Sequence, residues 1–581
     1  MMKTISIDHL TRVEGNGGIT ATIDGKTVTD VQFKIFEGPR LVERLTVGRT
    51  PEEDVSMAPR ICAICTVSHK NAVLRAMENA LDVSVSKKVY YSRELMHMGE
   101  MIESHSLHTF LLALPDFLGY PNAIAMAGDF EFEAKIGLEM KNFGNHIMKV
   151  YNGRWIHGEN AVIGGFGQLP TDEDLIWIKN RALQFMPFVH KTVALFCELD
   201  YPDIPEDDTL YVCCEPGNEE YGFWGEEFLL SNGEKFSKED YPKVTNEFTV
   251  SHSYCKRSRY NGRPFSVGAL ARVNNLGVRL DGQSGEMFRK YFNDHWKRNP
   301  LYHAAAQALE IMYCFERIPQ LVDLILKDKG NPAILPYTAK EGTGTGLVEA
   351  PRGTLVHHYI IKDGLVEHAD IITPTAMNAE DIERYCHIAA QKLLDEGMED
   401  KIRDRMDIVV RAFDPCISCS AHSVEIEHAP ETEWMDRLRD LTSGNTPLFV
   451  GVGNWDRSDD RAGLELALRL KERGTENVYT ERDVEFLNDV QGQKPIIFLD
   501  AVNMGENPGK ITLIPVDHVL RNVTNSHKFT PFVIGALNGA QIRNSYVLGI
   551  QPGTTDFGTK ISSSVEEAVE KVISVIRNEE E

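Results

Sequence analysis

Cys62 and Cys65 form one Cys-x-x-Cys pair, Cys416 and Cys419 form a second, and 351 positions separate Cys65 from Cys416. In each pair the i, i+3 spacing lets both sulfurs point at one ion from a turn or a helix start. If both pairs serve one ion, the fold must bring together the two ends of a large domain. Four thiolates suit zinc, an iron–sulfur cluster or another soft-ligand metal. A zinc ribbon keeps its two pairs about 15–20 residues apart and builds a local fold around them. Zinc here would have to close an enormous loop. A thioredoxin-like redox pair belongs at a helix start in a βαβ pattern, and neither flank has one.

With 581 residues the chain is long enough for several domains and a large core. Ten cysteines are too few for a disulfide scaffold. Apart from the two pairs, Cys197, Cys213, Cys214, Cys255, Cys314 and Cys386 are scattered, several in apolar surroundings, and are expected as buried core thiols. A net charge of -25 argues against nucleic acid or an anionic membrane as the main partner. No stretch reaches about 18 consecutive apolar residues, so direct membrane insertion is not expected. The opening "MMKTISIDHLTRVEG" has no apolar secretory region, and the expected compartment is the cytoplasm.

Residues 4–36 alternate apolar and polar around "DGK" and predict a small antiparallel sheet. Helical periodicity begins near 85, stops at Pro115, and returns at roughly 130–152, 172–197, 284–326 and 378–397. Residues 203–280, richer in Gly, Pro and charge, suit loops with short strands. The first part thus predicts a mostly α-helical α+β domain, a long helix bundle with peripheral sheets. After His422 the chain turns polar and linker-like; then strands and helices alternate in "LFVGVGN", "LELALRLKERG", "KPIIFLDAV", "YVLGIQ" and "VEEAVEKVISVI". That alternation implies a compact α/β domain with a mainly parallel sheet. The expected boundaries are 1–422, a linker or cleavable extension at 423–446, and 447–581.

The flanks of the two pairs narrow the metal. Arg60-x-Cys62-x-x-Cys65-x-x-x-His69 and Asp414-Pro415-Cys416-x-x-Cys419-x-x-His422 resemble the two signatures of the [NiFe]-hydrogenase large subunit, in order and separation. "TRVEG", "EGPRLVE" and "EAPRG" resemble further elements of that family. Ala63 stands where many members have Gly. The resemblance implies that Cys62 and Cys416 bind nickel terminally, and that Cys65 and Cys419 bridge nickel to an iron carrying CO and cyanide, Fe(CN)2(CO). It also implies that Cys416 takes the proton from H2 and Glu14 passes it on, that Arg352 stands over the open coordination site, and that His69 hydrogen-bonds a bridging sulfur. Glu43 and His422 would hold a magnesium or iron ion. Splitting H2 heterolytically needs a soft metal to accept hydride and a base to accept the proton, which these residue types supply. The remaining cysteines form no group that could hold an iron–sulfur relay, so an iron–sulfur small subunit, with further electron-transfer subunits, is the expected partner.

Large subunits of this family are made with a short C-terminal extension that a peptidase removes after the closing His, here between His422 and Ser423. This extension is long. "FVGVGNWDRSDDRAG" lacks the third glycine of a dinucleotide fingerprint, with Asp456 in its place, and its acids Asp459 and Asp460 would repel phosphate. The order of "GVGN", "DDRAG", "LDAV", His527 and "GIQPGTTDFG" instead resembles the hydrogenase maturation peptidase, which assigns nickel contacts to Asp460, Asp500 and His527. A linker of about 24 residues spans on the order of 80 Å when extended, enough for cleavage within one chain. The alternative function is a hydrogen sensor or metal-storage precursor with an inactive C-terminal domain. A quinone-oxidoreductase subunit of the same fold is disfavoured by the four intact cysteines.

Overall fold

The computed structural model describes residues 2–37, 41–205, 207–217, 219–250, 252–338, 340–421, 433–443, 447–453, 455, 458–480, 495–502, 508–515, 545–553, 558 and 560–577. The chain divides into two compact units, Met1–Val424 and Glu425–Glu581.

The first unit opens with the expected antiparallel sheet: β1 (Met2–Ile7), β2 (Gly17–Asp24) and β3 (Thr27–Ile35). Its inward residues, among them Ile19, Ala21, Ile23, Phe33 and Ile35, share a core with Ala379, Ile382 and Tyr385 of a later helix. The helices that follow are α1 (Thr66–Leu81), α2 (Lys87–Ser106), α3 (Glu131–Asn152), α4 (Asp172–Cys197) and α5 (His303–Lys327). Caps set their starts. Ser86 Oγ accepts the Val89 amide, and Thr171 and Asp174 make a reciprocal capping box.

Two helical expectations are corrected. Pro115 does not stop the helix that begins at 87. The chain passes through a π-helical turn, Leu107–Ala113, and Pro115 then sits in the first turn of Leu114–Leu118, where a proline lacks no needed donor. The stretch 284–326 is two helices, Gly282–Tyr291 and His303–Lys327. Between them Asn293 and Asn299 cap short 3₁₀ turns, and Pro300 starts the second.

After α5 comes a sheet that the hydrophobic pattern did not indicate: β4 (Gly342–Ala350), β5 (Gly353–Lys362) and β6 (Leu365–Ile372). Asp363-Gly364, both at positive φ, make the β5–β6 turn. Gly342, Gly344 and Gly346 share one face of β4, and Ala72, Ala76 and Ala80 lie one turn apart on α1. A Cβ at those glycines would stand 2.0 to 2.1 Å from the carbonyl oxygens of Ala80, Ala76 and Ala72. Strand and helix therefore meet backbone to backbone. Helices α6 (Pro374–Asp395) and α7 (Ile402–Ala412) close the unit.

In the second unit the stretch expected as a linker contains a helix, α8 (Glu433–Thr442), whose Trp434 and Leu438 lie in that unit's core. The sheet uses β7 (Leu448–Gly451), β8 (Val478–Thr480), β9 (Ile496–Ala501), β10 (Ile511–Pro515) and β11 (Ser545–Ile550), in the order β8-β7-β9-β11-β10. All neighbours pair parallel except β10 with β11. Helices α9 (Ala462–Glu472) and α10 (Ser563–Arg577) pack their apolar sides into this core. Among the described residues of both units, no helix is long and apolar enough to cross a membrane.

Gly344→Ala tests the backbone contact of α1 with β4. Overpacking of this kind costs about 1–3 kcal/mol, read as a lower thermal midpoint of the purified chain. An unchanged midpoint would contradict so close an approach.

Candidate metal centre

Cys62 follows a 3₁₀ turn, Ala58–Ile61, and Cys65 is the residue that begins α1. Cys416 and Cys419 stand on the short helical turn Ile417–Ser420, beyond α7. The Cys65 amide donates to Cys62 Sγ at 3.2 Å, while burial pushes the Cys65 thiol up to about 11 and the Cys416 and Cys419 thiols well above their ordinary value. All four sulfurs are buried and lie within 4.8 Å of one another. Cys62 is 3.4 Å from Cys416, and Cys65 is 3.3 Å from Cys419. Burial works against ionising Cys62, but hydrogen bonds from the other three cysteines and the charge of Arg352 hold that thiol well below its ordinary value. Of the scattered cysteines, Cys213, Cys214, Cys255, Cys314 and Cys386 are buried and Cys197 is half-buried.

The N-terminal segment reaches the second pair directly. Glu14 bridges to Cys416 in parallel, its carbonyl accepting the Ile417 amide at 3.0 Å. Its carboxylate accepts the Cys416 thiol at 3.2 Å and the Ser418 amide at 3.1 Å. Gly15, next to it, is held at positive φ where a Cβ would strike Ile417, so only glycine lets the two segments meet.

Arg352 is one of the two residues at the β4–β5 hairpin tip, between the paired Ala350 and Gly353. It is buried, and its Nε donates to the Asp414 carbonyl at 2.8 Å and carboxylate at 3.1 Å. Its Nη1 has no hydrogen-bond partner among the described residues. Burial disfavours the charge, but Asp414 and the sulfurs of Cys416, Cys65 and Cys62 more than offset this and keep Arg352 a cation. His69, one turn into α1, meets His357 of β5 (Nδ1 to Nε2, 2.9 Å), and His357 Nδ1 meets the Tyr359 hydroxyl at 3.0 Å.

Glu43 accepts the Ile371 amide at 2.8 Å and faces Lys256 Nζ at 3.3 Å, which also pairs with Glu247 and Asp370. Three carboxylates thus surround one ammonium. Burial, opposed by Lys256, pushes Glu247 up to about 7, and its Oε1 lacks a partner among the described residues. Lys256 thus occupies the space the three carboxylates share, and among the described residues they do not converge as a metal-ligand group. His422 and Ser423 lie outside the described residues.

In the second unit Asp460 and Asp500 are buried beyond β7 and near the end of β9. Asp460 Oδ2 has no partner among the described residues, which suits a metal ligand. Asp459 has another task. It accepts the Gly553 amide at 2.8 Å and the Ser562 hydroxyl at 2.8 Å, stapling two loops. His527 lies outside the described residues.

Sequence reasoning missed several partners of the site. Glu100 of α2 is buried and accepts the Val67 and Ser68 amides at the start of α1, with the Ser68 hydroxyl. Burial, opposed by those bonds, pushes it up to about 8. Thr375 accepts the Cys416 amide at 2.8 Å. No motif marks either, because their roles come from tertiary contact.

A buried cage of four cysteine sulfurs, with an acid on one sulfur and a fixed cation beside it, is a protein site suited to a soft-ligand metal. Comparison with known proteins agrees. The nickel-dependent hydrogenase family matches residues 40–130 and 230–422, and the hydrogenase maturation protease family, HycI, matches 481–579. Sulfhydrogenase 1 subunit alpha of Pyrococcus furiosus is 39% identical over 422 residues, 73% of this chain and 98% of that one. Sulfhydrogenase 2 subunit alpha of the same organism is 40% identical over 425 residues, 73% and 100% of the two chains. Among solved structures, an NAD+-reducing [NiFe]-hydrogenase in the H2-reduced state superposes with TM-score 0.66 at 26% identity, covering 72% of this chain and 99% of that one. The Ni-Fe-Se hydrogenase of D. vulgaris Hildenborough shares the fold at TM-score 0.61 and 21% identity, covering 73% and 100%. The chain belongs to the nickel-dependent hydrogenases, oxidoreductases acting on H2, and carries a hydrogenase maturation protease domain at its C-terminal end.

Asp54, in the short helix Pro51–Met57, is buried with neither carboxylate oxygen hydrogen-bonded among the described residues. Burial, opposed by Arg49 and reinforced by Glu53, pushes it up to about 8 from an ordinary 3.8. The folded chain keeps this proton where the unfolded chain has lost it, so stability falls as pH rises between those values. Asp54→Asn should raise the thermal midpoint more near pH 8 than near pH 5; equal gains would show that Asp54 is not held protonated.

Proposed function

We propose that residues 1–422 are the catalytic subunit of a hydrogenase that splits H2 heterolytically and reversibly, with a nickel–iron group held by Cys62, Cys65, Cys416 and Cys419. The observation that carries this reading is the buried four-sulfur cage with Glu14 on Cys416. Cys62, Cys65, Cys416 and Cys419 would together hold this group, nickel with an iron carrying CO and cyanide. When bound, this group would supply a soft acceptor for the electron pair of H2.

The chain's own residues handle charge. One proton of H2 goes to the Cys416 sulfur and then to the Glu14 carboxylate, which lies at hydrogen-bond distance. The other hydrogen leaves as two electrons and a proton, the electrons passing to an iron–sulfur partner subunit. Arg352 holds a fixed positive charge beside the sulfurs without needing to reorganise. His69, held by His357 at 2.9 Å, would orient toward the sulfurs and tune them. Glu43, with His422 as the closing ligand, would hold a magnesium or iron ion. In the second unit, Asp460, Asp500 and His527 would bind nickel, and the protease domain would cut between His422 and Ser423.

Glu14→Gln, purified with its partner, should lose at least about 100-fold of H2-dependent dye reduction, while the infrared bands of bound CO and cyanide persist. Full turnover in this variant would remove Glu14 from the proton route, and absence of those bands in the parent would remove the nickel–iron reading. Intact-mass measurement of nickel-loaded protein should show a large fragment ending at His422. A persistent full-length species with nickel in place would exclude self-processing.

A further inference from the structure

We propose that Arg272 is the positioning residue for Arg352, gripping the hairpin tip from beneath and so setting where the guanidinium of Arg352 stands over the sulfurs. This rests on the hydrogenase reading above.

Arg272 lies on the helix Ala269–Leu276, completely buried. Its guanidinium has five N–H donors in a rigid fork, and five acceptors meet them. Nε and Nη2 donate to the two oxygens of Glu310 at 2.6 and 2.7 Å. Nη1 donates to Glu349 at 2.7 Å and to the Ala350 carbonyl at 3.1 Å. Nη2 also donates to the Pro351 carbonyl at 3.1 Å. Those two carbonyls belong to the residues immediately before Arg352. The carboxylates are held in turn. Glu310 accepts from Tyr221 and His105, and Glu349 from Thr354 and the Cys214 amide.

A buried cation so close to a redox centre would ordinarily compete with Arg352 for the field at the sulfurs. Two carboxylates pair with it, so its charge is spent locally and what it transmits is position. The other side of the tip packs closely at Gly353: a Cβ there, at φ +136, would stand 2.4 Å from Val267. Lysine offers only three donors and cannot hold both carboxylates and both carbonyls.

Three variants of the complete enzyme with its partner decide the matter, each checked for nickel and iron content. Arg272→Lys should lower H2-dependent dye reduction 10-fold or more. In an Arg352→Lys background the same change should cost less than 2-fold, because the group it positions has gone. Equal losses in both backgrounds, or no loss in either, would overturn the proposal. If Arg272→Lys fails to take up metal, Pro351→Gly replaces it. That variant leaves Arg272 untouched and frees the tip, and the same pattern is required of it. A parent without CO and cyanide infrared bands would instead defeat the hydrogenase reading, an outcome separate from either pattern.

Discussion

The contact between the glycine strand and the alanine helix fixes the distances on which the rest of the first unit depends. Helix α1 carries Cys65 at its start and His69 one turn later; hairpin β4–β5 carries Arg352 at its tip and His357 on its second strand. With Gly342, Gly344 and Gly346 facing Ala72, Ala76 and Ala80, no side chain intervenes to keep the two elements apart. His69 and His357 can then bond at 2.9 Å across the seam. Small residues on both faces thus serve precision of placement, at the expense of the larger apolar burial that bulkier side chains would give.

The site also buries many ionisable groups. Arg352, Asp414, Glu100 and four cysteines lie beneath the surface in one region. Such groups are costly unless paired and hydrogen-bonded, and here nearly every one has a named partner: Arg352 with Asp414, Glu100 with two amides and a hydroxyl, Glu14 with an amide and a thiol. The donors left over, such as Arg352 Nη1, sit beside the four sulfurs. An unsatisfied donor at that place costs stability and gains an electrostatic handle on the chemistry.

The grouping of the four cysteines was legible in the sequence because two Cys-x-x-Cys pairs at that spacing leave few alternatives to a shared site. Helices α3 and α4 were legible too, with amphipathic patterns and clear ends. Helix α1 was not, although its sixteen residues are central. Ser68, His69, Lys70, Asn71 and Glu78 are all buried there, and polar residues on a buried helix erase the periodicity that marks a surface one. Strand β4 was hidden for the opposite reason, since "GTGTG" reads as turn chemistry until a helix backbone is found pressed against it. The linker expectation at 423–446 likewise missed α8, although Trp434, Met435, Leu438 and Leu441 recur at helical spacing; the charged residues between them and the flanking turn residues masked the pattern.

The pairing of Glu14 with Cys416 joins segments 402 residues apart, and the two cysteine pairs meet across 354. Contacts so distant along the chain carry a large loop-closure cost, which folding of the intervening segments offsets. A partly synthesised or partly folded chain can offer one Cys-x-x-Cys pair, but not the cage of four. The four-sulfur cage is thus a property of the folded unit as a whole, since neither end of the chain segment supplies it alone.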